Sequence, residues 1–220
     1  MRKRLIILLV TLGMAALSWM VIAPASSQAQ PPPTVCNGTY WGGTFNNLVV
    51  PSWDSCVLVN SRVHGTITAN PNSSLRTCAA TIKGSVDSTQ GYVNMDNYTE
   101  VDGSVDLNQP GTTLASGGSD SCSPEGEPSG YAAYICPRLI GGSLNITNGP
   151  DSGLDVYVGD CGSVNIHGSV RITGNRLYVE VEDAHILGSL TCLNNWPLPD
   201  VWDTTVVGPT HGTCYGNSCT

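Results

Sequence analysis

Aliphatic and polar positions alternate in a short phrase that recurs along most of this chain. An aliphatic residue, any residue, glycine, serine or threonine, and a second aliphatic appear as VHGTI from Val63, IKGSV from Ile82 and VDGSV from Val101. The same phrase returns as IGGSL from Ile140, IHGSV from Ile166 and ILGSL from Ile186, with YWGGTF and VVGPT as worn terminal copies. Its glycines fall at Gly43, Gly65, Gly84, Gly103, Gly142, Gly168, Gly188 and Gly208, in steps of 22, 19, 19, 39, 26, 20 and 20 residues. The step of 39 reads as two repeats whose middle copy has been overwritten by a Pro-, Gly- and Ser-rich insertion at about 109–130. Repetition at a fixed interval is the signature of a solenoid.

A step near 20 residues is too short for the helix pairs of most repeat families, and no 3.6-residue periodicity accompanies it. Strict alternation of Leu177, Val179 and Val181 with Tyr178, Glu180 and Glu182 marks a half-buried strand. The expected fold is therefore all-β: a single-stranded parallel β-helix of about eight coils of 19–22 residues, each coil three short strands joined by bends. Uneven spacing departs from the six-residue steps of left-handed β-helices and favours the right-handed form. The repeated glycine fits either a bend or a close approach of two backbones. Solenoid ends need cover, so residues 192–220, with Trp196-Pro197-Leu198-Pro199, read as the last coil and a C-terminal cap.

The first residues change the picture from fold to compartment. Arg2-Lys3-Arg4, an apolar run from Leu5 to Ala23 and the small-residue end Ser27-Gln28-Ala29 have the layout of an export signal over 1–29. The alternative is an uncleaved anchor, since the run is long enough to span a bilayer, and only then is a membrane a partner. Pro31-Pro32-Pro33 within 30–35 would be a stiff spacer, and the solenoid would occupy 36–191. Losing the signal leaves six Lys and Arg against 17 Asp and Glu, a balance that repels phosphate backbones and excludes nucleic acid as the natural partner. All nine cysteines lie in the exported part, which in an oxidising compartment argues for disulfides, with one thiol left over by the odd count.

Residues one coil apart lie within disulfide reach, so Cys36 with Cys56 and Cys192 with Cys214 are candidate pairs, while Cys122 with Cys136 would close the insertion. His64 and His167 precede marker glycines at positions that elsewhere hold Lys83, Asp102, Gly141 and Leu187, which points to solvent rather than a zinc site. Asp160, Glu180 and Asp200 each stand eight residues before a marker glycine, and Asp183 and Asp203 stand five before. Stacked in a ladder, the first three would take calcium, with Arg176 nearby; against this, strand alternation sets Asp160 one register off Glu180. The bland reading of these acids is a solvated face. Trp41, Trp53, Trp196 and Trp202 are expected to cap the two ends.

The stretch GTYWGGTFNNLVVPSWDSC from Gly38 to Cys56, the aliphatic-x-Gly core and a closing block from Gly188 to Cys214 resemble a group of exported bacterial repeat proteins. More distantly the repeat is similar to that of bactofilins, although those lack this export signal and these cysteines. The resemblance implies export and a β-helix and brings no catalytic residues. No nucleophile-and-base motif, phosphate loop or cofactor site is visible, so no catalytic residue and no cofactor other than calcium is expected. The chain is expected to be a secreted or cell-surface structural or adhesive protein, with envelope or extracellular polysaccharide as its partner. The alternatives are a polysaccharide-cleaving β-helix enzyme using the acid ladder and a scaffold that self-associates end to end.

Overall fold

A computed structural model describes residues 31–96, 98–111, 131–159 and 161–216. All regular structure among these residues is β. Three parallel sheets of nine, nine and eight strands stack as the faces of a solenoid. The first sheet starts with Thr34–Val35, the second with Thr39–Trp41 and the third with Thr44–Phe45, and each coil visits them in that order. Eight coils are complete, and Thr210–Gly212 and Tyr215–Gly216 add two strands of a ninth. The chain is a parallel β-helix.

Inward positions stack as columns of like residues, because in-register parallel pairing sets each residue above its counterpart about 4.8 Å away. In the first sheet Leu48, Ile67, Val86, Val105, Leu144, Val170 and Leu190 form one such column. Val63, Ile82, Val101, Ile140, Ile166 and Ile186 form another in the third sheet, and all of these side chains are fully buried. Removing such a side chain from water stabilises the fold by roughly 1.5–3 kcal/mol. β-Branched residues suit the pleated surface, which is why a chain with one phenylalanine can still fill its core.

Two expectations about the repeat need correction. Val105 pairs directly with Leu144, and the Gly142 N–H donates to the Gly103 carbonyl at 2.9 Å, so the 39-residue step is one coil. In that coil the first-sheet strand Val105–Asn108 is followed by the second-sheet strand Tyr131–Ile135. No coil was overwritten; a corner was extended, which loop closure tolerates because its entropic cost grows slowly with length. Coil lengths accordingly depart from 19–22 residues, from the 14 between Thr34 and Leu48 to the 39 between Val105 and Leu144. Gly43 also lies outside the glycine column. In the first coil Asn46 stands at the glycine's place, its carbonyl accepting from the Gly65 N–H as that of Gly84 accepts from Gly103, and Asn47 stands at the serine's place.

The corner from the third sheet to the first explains the repeated phrase. A Cβ built on Gly84, Gly103, Gly168, Gly188 or Gly208 would lie 2.4–2.6 Å from the preceding glycine's carbonyl oxygen. None of these five has a positive φ, so glycine is demanded here by backbone approach. The following serine forms a ladder. Backbone N–H groups of Ser104, Ser143, Ser169 and Ser189 donate to the hydroxyls of Ser85, Ser104, Ser143 and Ser169 at 3.0–3.1 Å. Asn47 Oδ1 does the same for Thr66 at 2.8 Å.

The other two corners turn through left-handed residues, a conformation for which Asn, Asp and Gly are suited. Gln90, Gln109, Asn148, Gly174 and Asn194 serve between the first and second sheets, and Asn60, Ala79, Asp183 and Asp203 between the second and third. Buried Asn175 adds an internal tie. Its backbone N–H and its amide donate to Asn195 Oδ1 at 3.0 and 2.9 Å, and its own Oδ1 accepts from Gly149 N–H at 2.8 Å.

Disulfides clamp the coils. Cys36–Cys56 and Cys192–Cys214 form as expected, with Cα atoms 5.4 and 5.7 Å apart, at the two ends of the core. The expected Cys122–Cys136 pair does not form. Cys136 bonds Cys161, one coil on, with Cα atoms 6.1 Å apart. Both follow strands of the second sheet that pair in register; the register sets Gly159 beside Cys136, and Cys161 bonds it from two residues further along. Cys122 lies outside the described residues. Cys78 is disulfide-bonded as well. Such bonds persist in oxidising compartments.

Candidate functional site

The outer face of the second sheet differs from the other two. Outward positions in register run Arg76, Asn94, Tyr134, Tyr157, Glu180, Asp200 and Tyr215, one per coil. A neighbouring outward column holds Tyr92, Asp155 and Tyr178, with Tyr131 paired to Asp155. Six of the chain's eight tyrosines therefore point outward from one sheet, with Trp41 and Trp202 on the same face. In the first sheet the corresponding outward column reads Thr68, Asp87, Asp106, Asn145, Arg171 and Thr191. The third sheet shows Arg62, Thr81, Glu100, Leu139, Asn165 and His185, again without a Phe, Tyr or Trp.

The rings touch one another. Tyr131 stacks on Tyr134 at 5.9 Å between centroids and meets Tyr157 edge-on at 4.6 Å, while Tyr157 meets Tyr178 at 6.2 Å. Offset and edge-to-face arrangements are the ones the ring quadrupoles favour. Nearer the end, Trp202 and Tyr215 lie 6.0 Å apart. Tyr131, Tyr134, Tyr157 and Tyr178 are all half-buried, so each ring is held while part of it faces solvent. On coils three and four the same face carries Arg76 over the Tyr92 ring at 5.8 Å, and both side chains are buried.

Carboxylates continue where the tyrosines stop. The strands of this sheet carry Asp155, Glu180, Glu182 and Asp200 against the single cation Arg76. The Tyr178 hydroxyl donates to Asp200 Oδ2. Burial, that hydrogen bond and the charges of Glu180 and Asp200 push the Tyr178 phenol well above tyrosine's ordinary range, keeping it a donor. Burial also raises the Asp155 carboxyl.

The expected acid ladder is only partly assembled. Glu180 and Asp200 stand in register on adjacent coils. The residue beneath Glu180 is Tyr157, and Asp160 lies outside the described residues. The sixth coil inserts three extra residues between its second-sheet strand and its third-sheet strand: Val158 pairs with Val181, 23 residues on, but Ile166 pairs with Ile186, 20 on. Counting eight back from the glycine therefore stops short of the strand. Asp183 and Asp203 turn the corner that follows the second sheet, with φ of 49° and 44°.

His64 and His167 are both exposed at the glycine corner, His64 one coil before Lys83, whose ion pair with Asp102 spans 2.8 Å between coils, and His167 two coils beyond Asp102. Among the described residues no three His, Cys, Asp or Glu gather as a metal-ligand set. A second acid pair, Asp87 over Asp106 in the first sheet, was not anticipated. Burial first, and then the Asp106 charge, raise Asp87. The tyrosine face was also missed, although outward parity in YAAYI, DVYV and LYVEVE was its visible signal.

Trp41, Trp53 and Trp196 are strongly exposed, at 74, 75 and 78 %, and so do not bury themselves as apolar plugs. Apolar cover at the N-terminal end comes from Tyr40 and Phe45, half-buried with rings 5.4 Å apart, and from the Cys36–Cys56 bond.

The fold places the chain among parallel β-helix proteins. Comparisons with protein-family models, with curated proteins and with solved structures find no match, so its function rests on the face just described.

Proposed function

We propose that this protein is an exported structural or adhesive rod that holds an envelope or extracellular polysaccharide against the outer face of its second sheet. The observation that carries this reading is the segregation of outward aromatic residues onto one sheet of three. Half-buried tyrosines are preorganised platforms: their rings offer apolar faces to sugar C–H groups at little conformational cost. Carboxylates beside them accept hydrogen bonds from hydroxyls. A solenoid presents such groups as an extended surface rather than a closed pocket, which suits a polymer.

The test is retention of the oxidised protein by a panel of bacterial and plant polysaccharides. The double variant Tyr134→Ala/Tyr157→Ala should lose retention while keeping its fold. Equal retention of the variant and the parent protein would sink the proposal.

A second reading is polysaccharide cleavage. It is favoured by the stacked Glu180 and Asp200 beside a phenol kept protonated, a pair of carboxylates and a donor in one place. New chain ends in the same panel, lost in Glu180→Gln/Asp200→Asn, would establish it; retention without new ends leaves a binding rod.

A further inference from the structure

We infer that the polymer is a linear glycan bearing free amino groups, lying along the solenoid axis over Tyr134, Tyr157, Glu180 and Asp200. The inference rests on the polysaccharide-binding reading and specifies its ligand.

Geometry sets the direction. The four residues are consecutive members of one in-register column, each on its own coil. The column therefore runs along the axis with a rise of about 4.8 Å per residue. That rise is close to the length of one pyranose unit in an extended chain, so successive sugars meet successive side chains. A glycan crossing the axis would meet one aromatic at most in each column before reaching a corner.

Charge sets the chemistry. This face carries four carboxylates and one arginine along its strands, and Glu180 stands directly over Asp200. Uronate and phosphate-bearing polymers are repelled by such a surface. A neutral glycan can only hydrogen-bond to these carboxylates. An ammonium group is also drawn by their charge and donates to Glu180 and Asp200 as charge-assisted hydrogen bonds, Asp200 accepting from the Tyr178 hydroxyl as well. The same ammonium gains from the faces of neighbouring tyrosines. The column order, two rings followed by two carboxylates, gives one glycan chain both kinds of contact.

The experiment measures binding of the oxidised protein to glucosamine oligomers, to the same oligomers after full N-acetylation, and to a polygalacturonate with and without calcium. Two variants separate the contributions. Tyr134→Ala/Tyr157→Ala removes rings and keeps the charge, while Glu180→Gln/Asp200→Asn removes charge and keeps the rings. All four sites are half-exposed on an outer face, and the far-ultraviolet spectrum and melting curve verify folding.

The expected result is binding of the glucosamine oligomers that weakens with salt, by contrast with the N-acetylated chain. Each variant should weaken it roughly tenfold or more, and the charge variant should also lose the salt dependence. Equal binding of the N-acetylated oligomers would overturn the amino requirement and leave the polysaccharide reading standing. Polygalacturonate binding that needs calcium would overturn it in favour of a bridging cation. Undiminished binding by the ring variant would show attraction to any acidic surface and overturn the site. No binding to any polymer would overturn both readings.

Discussion

The glycine corner and the outer face of the second sheet obey opposite rules. At the corner, each coil repeats glycine followed by serine from Gly84 to Ser189, because each glycine packs on the previous one and each serine accepts from the next. On the outer face of the second sheet the residue changes at nearly every coil: Arg76, Asn94, Tyr134, Tyr157, Glu180, Asp200, Tyr215. Uniformity marks the place where coil must fit coil. Variation marks positions where no coil dictates the residue of the next, and there the tyrosines and carboxylates collect.

The largest expected effect comes from the uniform side. In Gly168→Val the new Cβ would meet the Gly142 carbonyl oxygen at 2.5 Å, an atom that cannot retreat without opening the stack. Destabilisation of roughly 4 kcal/mol or more is expected. Chemical denaturation measures it, and Gly38→Ala, with open space around the new methyl, should change stability by less than about 0.5 kcal/mol. Similar losses at both positions would mean that the glycine column does not hold the coils together.

Next come the clamps. Replacing Cys192 and Cys214 by alanine opens a link across 22 residues and should cost about 3 kcal/mol, seen as a lower melting temperature under non-reducing conditions. Asn175→Ala strands the Gly149 N–H and the Ile146 carbonyl, with a cost of about 2 kcal/mol in the same assay. By contrast, Tyr157→Ala, on the variable face, should shift stability far less than either while weakening polymer retention. A melting temperature falling as far for Tyr157→Ala as for Asn175→Ala would make the tyrosine face part of the scaffold.

The same contrast explains what was legible in the sequence. The glycine and serine columns announce themselves because their side chains are dictated coil after coil, and the β-helix follows from their spacing. Cys36–Cys56 and Cys192–Cys214 were readable because 20 and 22 residues are one coil. Cys136–Cys161, at 25, was hidden by the longer sixth coil, and Cys122 offered a nearer partner in sequence. Glu180 and Asp200 were placed together correctly since their coils have equal length. Tyr157 was not seen under Glu180, because extra residues sit between Val158 and Val164 and no glycine-based count allows for them. The register of a variable face depends on corner lengths, which only the pairing reveals.

The smallest effect concerns Tyr178, where the variable face touches stability at all. Its phenol holds a proton more tightly in the folded chain than in the unfolded one, because burial and Asp200 disfavour the phenolate. Below tyrosine's ordinary value of about 10 both states are protonated and the contribution is fully present. As pH rises past that value the unfolded chain releases its proton first, so the folded state binds more protons and stability falls. Tyr178→Phe removes this titration together with the hydrogen bond. The variant should therefore be slightly less stable than the parent near neutrality and should lose less stability between neutral and alkaline pH. Denaturation curves across that range, with tyrosinate absorbance followed in parallel, give the comparison. Parallel declines in both proteins would mean that the Tyr178–Asp200 contact does not hold the proton, and the donor assigned to this face would have to be withdrawn.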